Sequence, residues 1–389
     1  MYSLLLAIIY LAFISLGLPD SLLGSAWPAM HPYFSVPISY AGIISMIISG
    51  GTIASSLLSD RITRKFGTKW VTAVSVAITA FALLGFSLAD KFYILCILAV
   101  PYGLGAGAID AALNNYVALH YSSRHMSWLH CFWGVGTIIS PYIMSIALSN
   151  YGSWKLGYRI VFIIQIIISA ILFLSVKLWN CNKVSSSEEN IESVGVTGAF
   201  KIPGVKPVLA GFLCYCAAES TTLLWASSYL VEVRGVAAEK AAAFGSMFCI
   251  GITAGRFISG FISEKLSDKN LIRAGITLMC LGIAGIAIPF NNDILSIGCF
   301  MIIGLGCAPV YPSIIHSTPG NFGKQNSQAI IGIQMASAYV GSTFMPPLFG
   351  LIAQHIDIRL LPIFLMFFSV LLAILTERVN IIMKNRSAQ

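Results

Sequence analysis

Three carboxylates, Asp20, Asp110 and Glu219, sit deep inside long runs of apolar residues, where the only deep base is Arg256. At the centre of a lipid-spanning helix a charged side chain costs about 2.5–3.5 kcal/mol, so such groups usually face a cavity and take part in function. One base cannot neutralise three acids by pairing. The chemistry left to a carboxylate in low dielectric is to take up and release a proton during a working cycle. That reading makes Asp110, Asp20 and Glu219 the candidate proton-coupling groups.

Spacing sharpens the case for Asp110. Gly103, Gly107, Asp110 and Asn114 follow one another at intervals of four, three and four, which puts them on one helix face. The glycines let a neighbouring helix come close. One turn on, a carboxylate and the amides of Asn114 and Asn115 offer acceptors and donors. Asp20 follows Pro19, which removes the backbone bond to Ser15, kinks the helix and is expected to free a carbonyl for a ligand or water. Asp20, Gly24 and Trp27 are expected on one face. Glu219, with Tyr215 and Thr222 on its face, has two readings open: cavity exposure, or a hydrogen bond to Ser or Tyr of an adjacent helix.

Hydroxyl-rich solutes need paired donors and acceptors, and their C–H faces stack on aromatic rings. Candidates of the right type are His130 and Trp133, which share a face with Thr137, then Tyr311, Gln334, Trp27 and Trp225. Each also has a packing reading, since polar and aromatic side chains join helices. Trp225 lies where an interfacial belt Trp would also sit. Arg256 is expected to snorkel or bond to a loop carboxylate, as part of a gating latch with Asp60 and Arg61. His316, Gln165 and His120 receive no assignment.

The elements that must position these groups follow from composition. Of 389 residues, 57% are hydrophobic and 10% charged, with a mean hydropathy of +0.84, far too little charge to cover a water-soluble surface. The chain reads as an all-α, polytopic membrane protein. A span needs about 20 apolar residues to cross a core about 30 Å thick. Twelve stretches qualify: 2–27, 38–59, 70–88, 92–118, 128–150, 158–178, 207–231, 240–263, 271–290, 294–316, 327–354 and 360–379. The first has no basic leader and exceeds the roughly 7–15 apolar residues of a signal peptide, so it reads as a membrane helix.

Between the two sets of six runs the only extended polar stretch. The expected organisation is therefore a half at 1–178, a linker at 179–206 and a half at 207–389. Arg61, Arg64, Lys65, Lys69, Arg124, Lys265, Lys269 and Lys324 fall on one side, with Lys183, Lys201, Lys384 and Arg386 in the linker and tail. The other side carries Lys91, Lys155, Arg159, Arg234, Lys240 and Arg359. That excess puts both termini in the cytoplasm of a cell-membrane protein. The halves also repeat: "SDRITRK" answers "SEKLSDK", so Asp60-Arg61 answers Glu264-Lys265. "GLGAGAID" answers "GLGCAPVY", "GTIISP" answers "GSTFMP", and Asp20 answers Glu219. Repeats of this kind mark carriers that rock one half against the other around a midplane site.

On these residues the chain resembles the major facilitator superfamily. The loop after the second span keeps Asp60, Arg61, Arg64 and Lys65, with Ser56 and Thr63 where the family pattern has glycine. Asp110-x-x-x-Asn114-Asn115 and "GLGCAPVYPS" resemble the fourth and tenth helices of the fucose permease-like proton–sugar symporters. The resemblance implies the major facilitator fold, twelve transmembrane helices in two pseudo-symmetric halves, and a coupling and sugar-contact role for Asp110. It places His130 and Trp133 where those symporters use amides, implying a different substrate. Aligned on Pro28, the family's first-helix acid falls at Gly24, one turn after Asp20.

The expected function is a secondary carrier moving a small polar solute, a sugar, with protons across the lipid bilayer, as a monomer. The alternatives are a proton-driven exporter of amphipathic drugs and an uncoupled facilitator; the Asp110, Asn114, Asn115 cluster favours a polar solute. A membrane-embedded enzyme or sensor would need a catalytic constellation, and "HYSSRH" at 120–125 lacks an acid. The net charge of +8 comes without a basic run interleaved with aromatics, so no nucleic-acid partner is expected. The nine Cys form no CxxC pair, and Cys214-Tyr-Cys216 has the wrong spacing for zinc; no metal or cofactor is expected.

Overall fold

The computed structural model describes residues 2–37, 40–182, 195–236, 238–288 and 293–387. The linker expected at 179–206 lies partly outside these, as does Lys183; of Lys240 only the backbone is described. Among the described residues every regular element is helical. The first span is two helices, α1 (Tyr2–Asp20) and α2 (Leu22–Tyr33). Then come α3 (Ala41–Phe66), α4 (Thr68–Leu88), α5 (Phe92–His120), α6 (Ser123–Tyr151) and α7 (Trp154–Leu174). After a short α8 (Gly195–Ala199) follow α9 (Val205–Arg234), α10 (Ala238–Ile262), α11 (Asp268–Ala287), α12 (Asp293–Phe322), α13 (Lys324–Ile352) and α14 (Leu361–Ser387). Among the described residues ten stretches have the length and apolar content to cross a membrane. The last of them, Lys324–Arg386, contains both α13 and α14, and α10 adds the shorter apolar helix Met247–Ile262. This is a multi-pass, all-α membrane protein.

The chain divides into two compact units, one of residues 1–116 and 129–195, the other of residues 117–128 and 196–389. The short segment 117–128, the end of α5 and the start of α6, packs with the second unit.

Within each unit the same small residues bring the same helices together. A Cβ on Gly103 of α5 would run into the Ile48 carbonyl of α3, and one on Gly304 of α12 into the Phe248 carbonyl of α10. Likewise Gly136 of α6 lies against the Ile14 carbonyl of α1, while a Cβ on Gly341 of α13 would stand 2.6 Å from the Leu213 carbonyl of α9. Only glycine permits such approaches of backbone to backbone. These pairs sit at matching places in the two repeats, so the repeat read from short strings is also a repeat of packing.

One expected correspondence fails. Gly51 and Gly251 occupy equal positions, each 3.1 Å (as a Cβ) from the amide of the leucine that follows Gly103 or Gly304. Asp60 lies nine residues after Gly51 and inside α3, whereas Glu264 lies thirteen after Gly251, beyond the end of α10. The offset is one helical turn, so Asp60-Arg61 and Glu264-Lys265 answer each other in sequence but not in position.

The break at Ser21 has a physical cause. Pro19 cannot donate to the Ser15 carbonyl, and the helix stops one residue later. The freed carbonyl is not left for a ligand, as the sequence suggests; Gln165 of α7 donates to it through Nε2 at 2.6 Å, fully buried. On the surface of the same unit, Lys155 and Tyr33 donate to Asp90 at 2.8 and 3.1 Å. Lys155 first, then Tyr33, hold its carboxyl below the usual carboxylate range.

Candidate functional site

Asp110 of α5 is 4% exposed. It accepts from Asn114 Nδ2 at 2.7 Å, and the same amide nitrogen also reaches the Asp110 carbonyl at 3.0 Å. With its nitrogen committed to Asp110, Asn114 turns its oxygen toward α6, where His130 Nε2 lies 3.0 Å away. An amide oxygen only accepts, so Nε2 carries hydrogen. The result is a directional chain, His130 to Asn114 to Asp110, buried along its length. Phe13 of α1 meets the His130 ring edge-on at 5.4 Å. Asn115 is also buried.

Asp20 terminates α1. Its side chain is exposed, while residues 15–19 before it are buried. Two neutral donors hold it: the Trp133 indole at 2.8 Å and the Tyr102 hydroxyl at 3.4 Å. α1, α5 and α6 thus bring together two of the three expected acids with His130, Trp133 and Asn114, all in the first unit.

The second unit holds Glu219 differently. Arg256, 4% exposed on α10, donates to Glu219 Oε1 at 3.3 Å. Arg256 therefore binds a mid-helix acid and not the loop carboxylate expected of it, while Glu219, partly exposed, takes a cation from the adjacent helix α10. Burial explains it: Arg256 lies inside α10, six residues before its end at Ile262, with its side chain turned into the unit and buried beside Glu219. Beside this pair, Tyr215 donates to the Cys307 carbonyl at 3.0 Å, and Tyr311 packs on Phe212 and Tyr215 with centroids 4.6 and 5.9 Å apart.

Other expected solute contacts are placed in packing roles. Trp27, on α2, is 4% exposed in an apolar cluster with Leu22, Met30 and Trp154. Trp225 donates to the Pro346 carbonyl at 3.0 Å and meets Phe349 edge-on. Gln334 is fully buried and accepts from Thr318 at 3.1 Å.

Among the gating residues, Asp60 is buried and pairs with Arg64 at 2.8 Å, one turn on, while Arg61 is exposed. Neighbours along a helix do not face each other, whereas residues four apart do. Glu264 pairs with Arg124, and Lys265 is exposed in the same turn. Sequence reasoning missed Tyr102 and Gln165, whose partners lie on other helices. The only available signal was that a Tyr and a Gln inside apolar runs must find hydrogen bonds somewhere.

Residues 9–292 and 241–380 match the sequence profile of the Major Facilitator Superfamily. The chain is 23% identical over 385 residues to Bypass of stop codon protein 6 of Saccharomyces cerevisiae, covering 90% of this chain and 77% of that one. It is 22% identical over 313 residues to the glucose/mannose transporter GlcP of Bacillus subtilis, covering 78% and 77%. Among solved structures it superposes on the major facilitator transporter FucP in the outward conformation with a TM-score of 0.79, at 16% identity over 97% of this chain and 98% of that one.

Proposed function

The chain belongs to the major facilitator superfamily and is a multi-pass membrane transporter, and from that premise we propose that it carries a neutral sugar together with protons by alternating access. The observation that carries this reading is the buried chain from His130 through Asn114 to Asp110. A carboxylate that gains a proton adds an O–H donor and keeps acceptor capacity. The Asp110–Asn114 bond then loses its charge assistance, and a turn of the Asn114 amide, presenting its oxygen to Asp110 and withdrawing it from His130, becomes available. Proton binding at Asp110 is in this way converted into a change of hydrogen bonding at His130, a group suited to a sugar hydroxyl.

Asp20, held by an indole and a phenol and open to water, is the second proton-coupling candidate and lies beside the ring best placed to stack on a sugar, Trp133. Asn115 and Tyr311 complete the proposed contacts. Because the guanidinium of Arg256 is held by Glu219, the proposal is for a neutral rather than an acidic sugar. The name of the Bacillus subtilis relative supports a hexose. The proposed location is the cell membrane, with both termini cytoplasmic and the protein monomeric.

The test is uptake of labelled neutral hexoses, hexuronates and lipophilic cations into proteoliposomes, with and without an inward proton gradient. The proposal expects one or more neutral hexoses to accumulate only with the gradient. Accumulation of the cations alone would make the protein a drug carrier. Equal hexose entry with and without the gradient would make it a facilitator.

A further inference from the structure

Residues 117–128, the end of α5 and the start of α6, pack with the second unit, and a polar cluster outside the groups considered for solute holds them there. His316 of α12 has its Nδ1 2.6 Å from Asp268 Oδ2 of α11, and its Nε2 3.2 Å from the Tyr121 carbonyl of the segment. Ser123 of the segment donates to the other oxygen of the same carboxylate, Asp268 Oδ1, at 2.7 Å. Alongside, Arg124 pairs with Glu264 and lies over the Trp128 ring, and Trp128 packs on Phe261 and donates to the Phe257 carbonyl at 3.4 Å.

Counting donors fixes the protons. A backbone carbonyl only accepts, so His316 Nε2 carries hydrogen. The other ring nitrogen faces a carboxylate oxygen, and one hydrogen must lie between them: either on the ring, making an imidazolium, or on Asp268, making a carboxylic acid. In both assignments the docked cluster holds one proton more than a neutral imidazole and a free carboxylate together. Undocked in water near neutral pH, the two groups would lose that proton, since an unperturbed His titrates near pH 6.5 and an Asp near 3.9.

We propose that the His316–Asp268 pair is a proton-dependent latch that docks residues 117–128 on the second unit. The sign follows from the count: the docked form binds the extra proton, so acid favours docking and alkali favours release. The charged group that acts on His316 is Asp268, from α11. From the segment, Arg124 is taken by Glu264, and His125 by Ser122 at 2.9 Å; His120 stands four residues before Arg124. Lys269 beside Asp268, and Lys324 at the start of α13, are exposed. The segment is continuous in sequence with α5 and α6, which carry Asp110, Asn114 and His130. The latch would therefore make transport sensitive to pH on the side of the segment, independently of the coupling acid and of the solute's identity.

Hydrogen–deuterium exchange of the full chain in detergent, without solute, tests this. The readout is the exchange of peptides spanning 117–128 from pH 5.5 to 8.5, corrected for intrinsic rates, with a peptide from α4 as a control. In the parent, protection of 117–128 should fall about fivefold or more as pH rises, the lower end of ordinary couplings between sites, while α4 stays constant. His316→Gln and Asp268→Asn should each leave protection low and flat with pH. Parent protection that is flat across the range would overturn the latch, as would a His316→Gln or Asp268→Asn variant that keeps the parent's pH dependence. Because the parent profile alone can fail the proposal, a variant that does not fold leaves it testable.

Discussion

Asp110 and Asp20 share one unit but not one environment, and under the proposed symport the difference would give them different parts. Asp20 is exposed and held by two neutral donors, whereas Asp110 is buried and held by Asn114. A coupling acid must be closed off during part of the cycle, or protons would leak past the solute, and Asp110 meets that demand. Asp110→Asn keeps size and hydrogen bonding but fixes the neutral state. It should abolish gradient-driven accumulation in proteoliposomes while leaving exchange of solute at equal concentrations. Glu219 and Arg256 form a pair in which each stabilises the other. Glu219→Gln strands a buried guanidinium, at a cost on the order of 3–5 kcal/mol. Thermal unfolding in detergent should show Glu219→Gln and Arg256→Gln each strongly destabilised and the double variant less so than either; additive losses would mean the two side chains act separately. Cost in lipid marked all three acids in the sequence. Asn114, on the same helix as Asp110, was legible by spacing, but Tyr102 and Arg256 were not legible as partners of Asp20 and Glu219, because they come from other helices whose rotation no single segment encodes.

At the scale of helices, the span pattern was legible because hydropathy and length alone decide it. The break at Ser21 was readable from Pro19, but not that Trp27 of α2 is buried in an apolar cluster while Asp20 is exposed. The sequence equated Asp60 with Glu264 by local string, yet packing sets them one turn apart. The glycine approaches give a direct check on the paired geometry. Gly103→Ala and Gly304→Ala must each push a helix away from a carbonyl, costing roughly 1–3 kcal/mol. Gly24→Ala and Gly42→Ala meet nothing within 4 Å and should be neutral or mildly stabilising, since Ala favours helix. Melting temperatures of the four variants in one detergent settle the ranking.

For the molecule as a whole, the proposed orientation rests on the excess of Lys and Arg on one set of loops. Tags at either terminus, or within residues 181–205, should be reachable only from the cytoplasm in intact cells; an external signal from that stretch would break the division into two halves at a cytoplasmic linker. The central claim, that sugar and proton travel together, is tested most directly by the proton itself. Proteoliposomes are suspended in weak buffer without any imposed gradient, and a transported hexose is added while the external pH is recorded. The proposed symport predicts that the medium turns alkaline as hexose enters, that a protonophore abolishes this signal, and that Asp110→Asn shows none. Hexose entry with no change of pH in the parent would contradict it.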